Sequence, residues 1–258
     1  ILKQVHTDYI HAGSQIITTN TYASSRIMLK SAGFEKRFEE INLKAVNSAL
    51  KAREETGYKD VIIAGSISHR YPIADGDTKS NASIQVSKLE LQEATEEMAL
   101  LLTNNGCDII LLEMMYRPER MKIIFDIVKK LNIPIWVCFS CRKSDKGEIL
   151  SLTDETVVPF SEMIAISKEY NFDAWGIMHT SEDILGECIK MIKANFNGPI
   201  LSYPDTGGWI SPNWIFDSVI EPEKFKEKAN GWFALGAQII GGCCGTSPDH
   251  IRALATLK

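Results

Sequence analysis

No apolar run in this chain of 258 residues approaches the roughly 18 that a membrane-crossing helix needs, so no span is expected. No basic-then-apolar leader opens it either. Serine- and glycine-rich linkers, low-complexity tracts and blocks of one charge are also lacking, which leaves a single domain over residues 1–258 as the expectation. No G-x-G-x-x-G follows an apolar run, so an open dinucleotide-binding sheet loses its support. A net charge of −5 argues against a nucleic-acid partner. What is present is ordinary for a globular chain: 45% hydrophobic and 24% charged residues argue against disorder. The length suffices to bury a core without disulfides.

The six cysteines are even in number, which raises the question of pairing. Their placement argues against it. Cys107, Cys138 and Cys188 lie in apolar, regular stretches, where thiols behave as small buried hydrophobes. A reducing, cytoplasmic setting is therefore expected.

Short apolar runs alternate with longer amphipathic ones. Ser14–Thr19, Val61–Ala64, Asp108–Leu112, Ile133–Phe139, Ala174–Met178, Ile200–Tyr203 and Gln238–Ile240 read as strands. They are short and continuously apolar, as parallel strands buried on both faces are. Between them, Leu91, Ala94, Met98, Leu101 and Leu102 form one helical stripe, and Ile123, Ile124, Ile127, Val128 and Leu131 another. Ser87 with Glu90 has capping-box spacing, and Ser247 before Pro248 reads as an N-cap. A helix is expected over Ile1–Ala12, and the Asn105-Gly106 pair reads as a helix stop. The alternation gives an α/β protein with a parallel sheet. Seven strand–helix units behind a leading helix suggest a (β/α)8 TIM barrel whose first strand is missing from this chain, which does not begin with Met.

Barrel active sites lie at the C-terminal ends of the strands. The residues there are Asn20 and Tyr22, Ser66, Glu113, Ser140 and Cys141, His179, Asp205, and Cys243 with Cys244. The sharpest signal is Gly241-Gly242-Cys243-Cys244-Gly245-Thr246. A disulfide between neighbours needs strained geometry, and buried inert thiols are a second alternative. Metal ligation is the third, because glycines let the backbone turn so that two thiolates reach one ion. Soft thiolates select zinc, and two of them with one further protein ligand and an open position make a catalytic site.

The Gly-Gly-Cys-Cys-Gly-Thr motif resembles the homocysteine S-methyltransferase family of zinc barrels. Weaker matches follow in family order: His6-Thr7-Asp8-Tyr9 and Thr19-Asn20-Thr21-Tyr22, Ala64-Gly65-Ser66-Ile67, Gly106-Cys107-Asp108 leading to Glu113, Phe139-Ser140, and Tyr203-Pro204. The resemblance spans essentially the whole chain. It implies zinc held by three cysteines, one after the sixth barrel strand and the adjacent pair after the eighth. Here the sixth-strand motif reads Gly176-Ile177-Met178-His179, so His179 stands where the first cysteine would, and Met178 replaces an Asn. A Cys2His set of His179, Cys243 and Cys244 is chemically sound, and with one fewer negative ligand it is expected to be a stronger Lewis acid. Cys141, in Cys138-x-x-Cys141, is a rival third ligand. Asp205 follows Tyr-Pro where Asn is usual, and a carboxylate there could reject a negative donor group or attract a sulfonium. Met114 stands where Thr is common.

The resemblance further implies transfer of a methyl group from a sulfonium or quaternary ammonium donor to homocysteine, giving methionine. Glu113 would take the amino group of homocysteine. Gly241 and Gly242 would bring backbone N–H groups to its carboxylate, and Ser66 would join the substrate site. The ring of Tyr22 would hold a cationic donor. Trp209 and Trp214 are further aromatic residues in the loop after the seventh barrel strand. A different thiol acceptor, or a metal-binding barrel without activity, are the competing readings.

Overall fold

The computed structural model describes residues 1–72, 85–152, 157–210, 213–215 and 219–257. The strands are β1 (Ile16–Thr18), β2 (Ile62–Ser68), β3 (Ile109–Met115), β4 (Ile135–Phe139), β5 (Cys141–Lys143), β6 (Ile149–Ser151), β7 (Ala174–Ser181), β8 (Ile200–Asp205), β9 (Gly208–Ile210), β10 (Asn213–Ile215) and β11 (Ile239–Ile240). The helices are α1 (Leu2–His11), α2 (Arg26–Ser31), α3 (Phe38–Thr56), α4 (Lys88–Asn104), α5 (Pro118–Val128), α6 (Phe160–Ser167), α7 (Leu185–Lys193), α8 (Pro222–Ala234) and α9 (Pro248–Leu254). The 7-stranded sheet has the order β1-β2-β3-β4-β7-β8-β11, and every register pair resolved within it is parallel. Each of the seven apolar runs became one of these strands, and the α/β barrel alternation is present. No eighth parallel strand occurs among the described residues. Among them, too, no helix is long and apolar enough to cross a membrane.

Two short two-stranded ribbons, β5–β6 and β9–β10, were not anticipated, the first of them antiparallel. In the first, Gly147 at φ +83° completes the turn, and Ser144 N–H bonds to Glu148 O. The helix signals hold. Ser87 and Glu90 form a reciprocal capping box, Gly106 at φ +97° ends the turn after α4, and Ser247 forms a capping box with His250.

The chain divides into two compact units: Ile1–Glu113 with Ile123–Ile135 and Ile210–Asn213, and Met114–Lys122 with Trp136–Trp209 and Trp214–Lys258. In the first, α1 packs on α3, whose buried face includes Ala45, Val46, Ala49 and Ala52. Small side chains there let the two backbones approach closely. Asp108 joins three elements: its Oδ2 accepts the Ile63 N–H at 2.7 Å and pairs with Arg53. In the second, Trp175 stacks on Phe196 at 4.6 Å, and Phe139 meets Phe160 and Trp175 edge-on. Such pairs add about 0.5–1.5 kcal/mol each beyond the area they bury.

Candidate metal centre

The second unit carries the cysteine pair. β11 ends at Ile240, and the loop from Gly241 to Cys244 then continues alongside β8 in the same direction. Gly241 N–H donates to Ser202 O, Cys243 N–H to Pro204 O, and both Thr206 and Gly207 N–H to Cys244 O. Gly241 must lack a side chain because a Cβ would lie 2.7 Å from the Tyr203 ring. Its N–H is held by Ser202 O, which fixes the start of the loop. Gly242 is equally confined, since a Cβ there would lie 2.3 Å from Thr246 Cγ2.

The strand partner that brings His179 to this loop is β7. Its pairing with β8 runs in register to Met178–Tyr203 and resumes at Ser181–Asp205. Two residues, His179 and Thr180, therefore oppose the single residue Pro204, which has no N–H for the ladder. His179 takes the left-handed conformation, φ +45°. Such a backbone costs of order 1–3 kcal/mol in a non-glycine residue and collects at functional sites. Hydrogen bonds from Ser140 Oγ and Thr180 Oγ1 to Met178 O hold the bulge.

The bulge aims His179 at three other donors. Its Nδ1 lies 2.8 Å from Asp205 Oδ2 and 4.0 Å from Cys243 Sγ. Cys243 Sγ and Cys244 Sγ are 3.8 Å apart, and Cys244 N–H donates to Asp205 Oδ1 at 3.2 Å. One ligand atom from each of His179, Asp205, Cys243 and Cys244 lies within 4.8 Å of every other. Two sulfurs bound to one zinc at about 2.3 Å and the tetrahedral angle stand roughly 3.8 Å apart. An imidazole nitrogen at about 2.1 Å stands roughly 3.6 Å from each. The two sulfurs thus stand at the spacing that one zinc requires, and the donors present suit zinc in kind.

Charge is concentrated here. Burial alone would lower the His179 pKa, but Asp205 and then Cys244 outweigh it and lift it to about 9. The Cys244 thiol is drawn down to about 6, first by Cys243 and, against burial, by His179. The other thiols are of a different kind. Burial pushes Cys107 up to about 12, and Cys141 well above the ordinary thiol range beside Cys188. Cys141, the rival ligand, is buried with Cys188 and is not among the four clustered residues.

Asp205 was singled out by the sequence for donor selection and not as a neighbour of His179. Its presence also revises the expected gain in Lewis acidity, since the charge lost with a thiolate returns 2.8 Å from the imidazole. Met114, at φ +52°, donates its N–H to Met178 Sδ at 3.3 Å, so two further departures from the family pattern touch each other.

Tyr22, Ser66 and Glu113 belong to the first unit. Thr19 and Thr21 extend the β1–β2 pairing: Ser66 N–H donates to Thr19 Oγ1, and Thr21 Oγ1 donates to Ser66 O. Ser66 is fully buried, and its hydroxyl has no hydrogen-bond partner among the described residues. Ser68 pairs with Glu113 in register, so Ser66, Ser68 and Glu113 share one face of β2–β3. The Tyr22 ring already has a cation beside it, the Arg70 guanidinium at 5.7 Å, whose NH1 group also reaches the phenol oxygen at 3.3 Å. The side chains of Trp209 and Trp214 lie outside the described residues.

A family model described as homocysteine S-methyltransferase matches residues 1–257. The chain belongs to the homocysteine S-methyltransferase family. It is accordingly a methyltransferase. Homocysteine S-methyltransferase 1 of Arabidopsis thaliana is 25% identical over 99% of this chain and 82% of its own length. Homocysteine S-methyltransferase YbgG of Bacillus subtilis is 27% identical, with the same two coverages. A selenocysteine methyltransferase of Astragalus bisulcatus is 24% identical over 98% of this chain and 81% of its own length. In fold, the chain is similar to the metallated form of the homocysteine methyltransferase MmuM from Escherichia coli. The TM-score is 0.78 at 23% identity, over 98% of this chain and 83% of that one.

Proposed function

We propose that this family member moves a methyl group from a sulfonium or quaternary ammonium donor to the sulfur of homocysteine, giving methionine, with zinc as its metal. The observation that carries the reading is the convergence of His179, Cys243 and Cys244 from two separate segments onto one small volume. A thiol with a pKa of about 8.5 is mostly protonated at neutral pH and is then a weak nucleophile. Bound zinc supplies the positive charge that keeps the acceptor sulfur in its thiolate form.

His179, Cys243 and Cys244 would hold the metal, with the bulge of β7 and the zipped glycine loop fixing their directions. Glu113 would bind the amino group of homocysteine. Gly241, Gly242 and the buried Ser66 hydroxyl are the further proposed substrate contacts. Tyr22 would meet the donor together with Arg70, so a donor carrying a carboxylate suits this pair better than a bare cation. In the transfer, a sulfur lone pair forms the new bond to the methyl carbon. The old carbon–heteroatom pair leaves with the donor, which becomes a neutral thioether or amine. The thiol proton is lost before this step, so the transfer itself needs no general base.

The test is methionine formation by purified, zinc-loaded protein from homocysteine with S-methylmethionine, S-adenosylmethionine or betaine. Selenocysteine and other thiols serve as alternative acceptors, since a selenocysteine methyltransferase is among the relatives. Methionine from at least one donor supports the reading. Turnover only with another acceptor moves it to that acceptor, and no turnover with any pair sinks it.

A further inference from the structure

We propose that Asp205 belongs to the metal centre and that Asp205 and His179 act as one unit, in which the carboxylate supplies the negative charge that an imidazole ligand lacks. This rests on the zinc reading above and goes beyond its three ligands.

Both carboxylate oxygens are engaged with residues of the donor set. Oδ1 accepts the Cys244 N–H, and Oδ2 lies 2.8 Å from His179 Nδ1. Only 14% of the Asp205 side chain is exposed, and a carboxylate so far removed from water needs such partners. Its position is set by the fold: the ladder skips Pro204, resumes at Asp205, and the same irregularity turns His179 toward it.

The charge arithmetic gives the contact its purpose. Two thiolates and a neutral imidazole carry two negative charges, which a divalent zinc cancels. Asp205 adds a third, so the site carries the charge of a three-thiolate set although one donor is neutral. With Nδ1 held by Asp205, the metal would be taken by the ring's other nitrogen, Nε2; a carboxylate on the first nitrogen fixes the ring's orientation and makes the second a stronger base toward a metal. The two residues therefore depend on each other: His179 needs Asp205, whereas a cysteine at that position would not.

The experiment is a double-mutant cycle on zinc affinity, read by competition with a chromophoric chelator, on wild type, Asp205→Asn, His179→Cys and the double variant. Asparagine matches aspartate in shape and still accepts from Cys244 N–H, so the loop is retained. Circular dichroism checks each fold, and Asp205→Glu serves as a second variant that keeps the charge. The expected result is a loss of roughly 10- to 100-fold in zinc affinity for Asp205→Asn in the His179 protein. In the His179→Cys background the same change has no such effect, and Asp205→Glu loses less than Asp205→Asn. An equal loss in both backgrounds, or none in the His179 protein, overturns the inference while leaving the zinc site standing. A folded wild type that binds no zinc overturns the zinc reading itself, and this inference with it.

Discussion

Nδ1 of His179 stands 2.8 Å from Oδ2 of Asp205, across a bulge in which His179 and Thr180 oppose the single residue Pro204. That contact joins the ends of two neighbouring strands to the cysteine loop and organises the chemistry proposed for this chain.

Cys243→Ala and Cys244→Ala are each expected to abolish stoichiometric zinc binding, because each removes one of the two thiolates. Metal analysis of the purified variants checks this. Full zinc in both would remove the cysteine pair from the site.

Alkylation separates the thiols. In metal-free native protein at pH 7, iodoacetamide is expected to label Cys243 and Cys244 and to spare Cys107, Cys138, Cys141 and Cys188, all of which are buried. Cys244 has its pKa lowered to about 6, so its thiolate is present above that pH and is lost as the pH falls through it. Its labelling rate should therefore rise through pH 6 and level off below the pH of about 8.5 where an ordinary thiol titrates. Mass spectrometry of peptides across a pH series reads this. A rate still climbing steeply through pH 8.5 would show that Cys244 lacks the stabilising partners assigned to it.

Glu113→Gln should leave zinc binding unchanged and weaken homocysteine binding roughly tenfold or more, the loss of a charged hydrogen bond. Calorimetric titration of the zinc-loaded variant gives both numbers. Unaltered homocysteine affinity would take Glu113 out of the substrate site.

Gly241→Ala places a methyl group against the Tyr203 ring and should cost about 1–3 kcal/mol of stability, as overpacking does. The melting temperature reads it. Adding Tyr203→Leu, which removes the ring, should recover much of the loss. No recovery would mean that the glycine is required for another reason.

Much of the fold was legible because continuous apolar runs such as Ile109–Leu112 and Ile135–Phe139 have one use in an α/β chain. Their ends were less so: β7 continues through His179 to Ser181, past the last apolar residue, because its pairing with β8 resumes at Asp205. The β5–β6 ribbon was missed because Cys141–Lys143 alternates poorly and only Gly147 marks its turn. At the site, the three residues His179, Cys243 and Cys244 could be read from motif and strand position. Asp205 could not be joined to them, since its role depends on a bulge created by the pairing of two strands. Nor could the engagement of the Gly241 N–H, which depends on register against Ser202. The Arg70–Tyr22 contact joins residues from different elements and likewise has no local sequence signature.

The most direct test of the central claim is the zinc content and zinc affinity of the purified protein beside His179→Ala, with and without homocysteine. The account predicts one zinc per wild-type chain, held more tightly when homocysteine is present and lost or strongly weakened in the variant. Folded wild-type protein that takes up no zinc and is indifferent to homocysteine would contradict it.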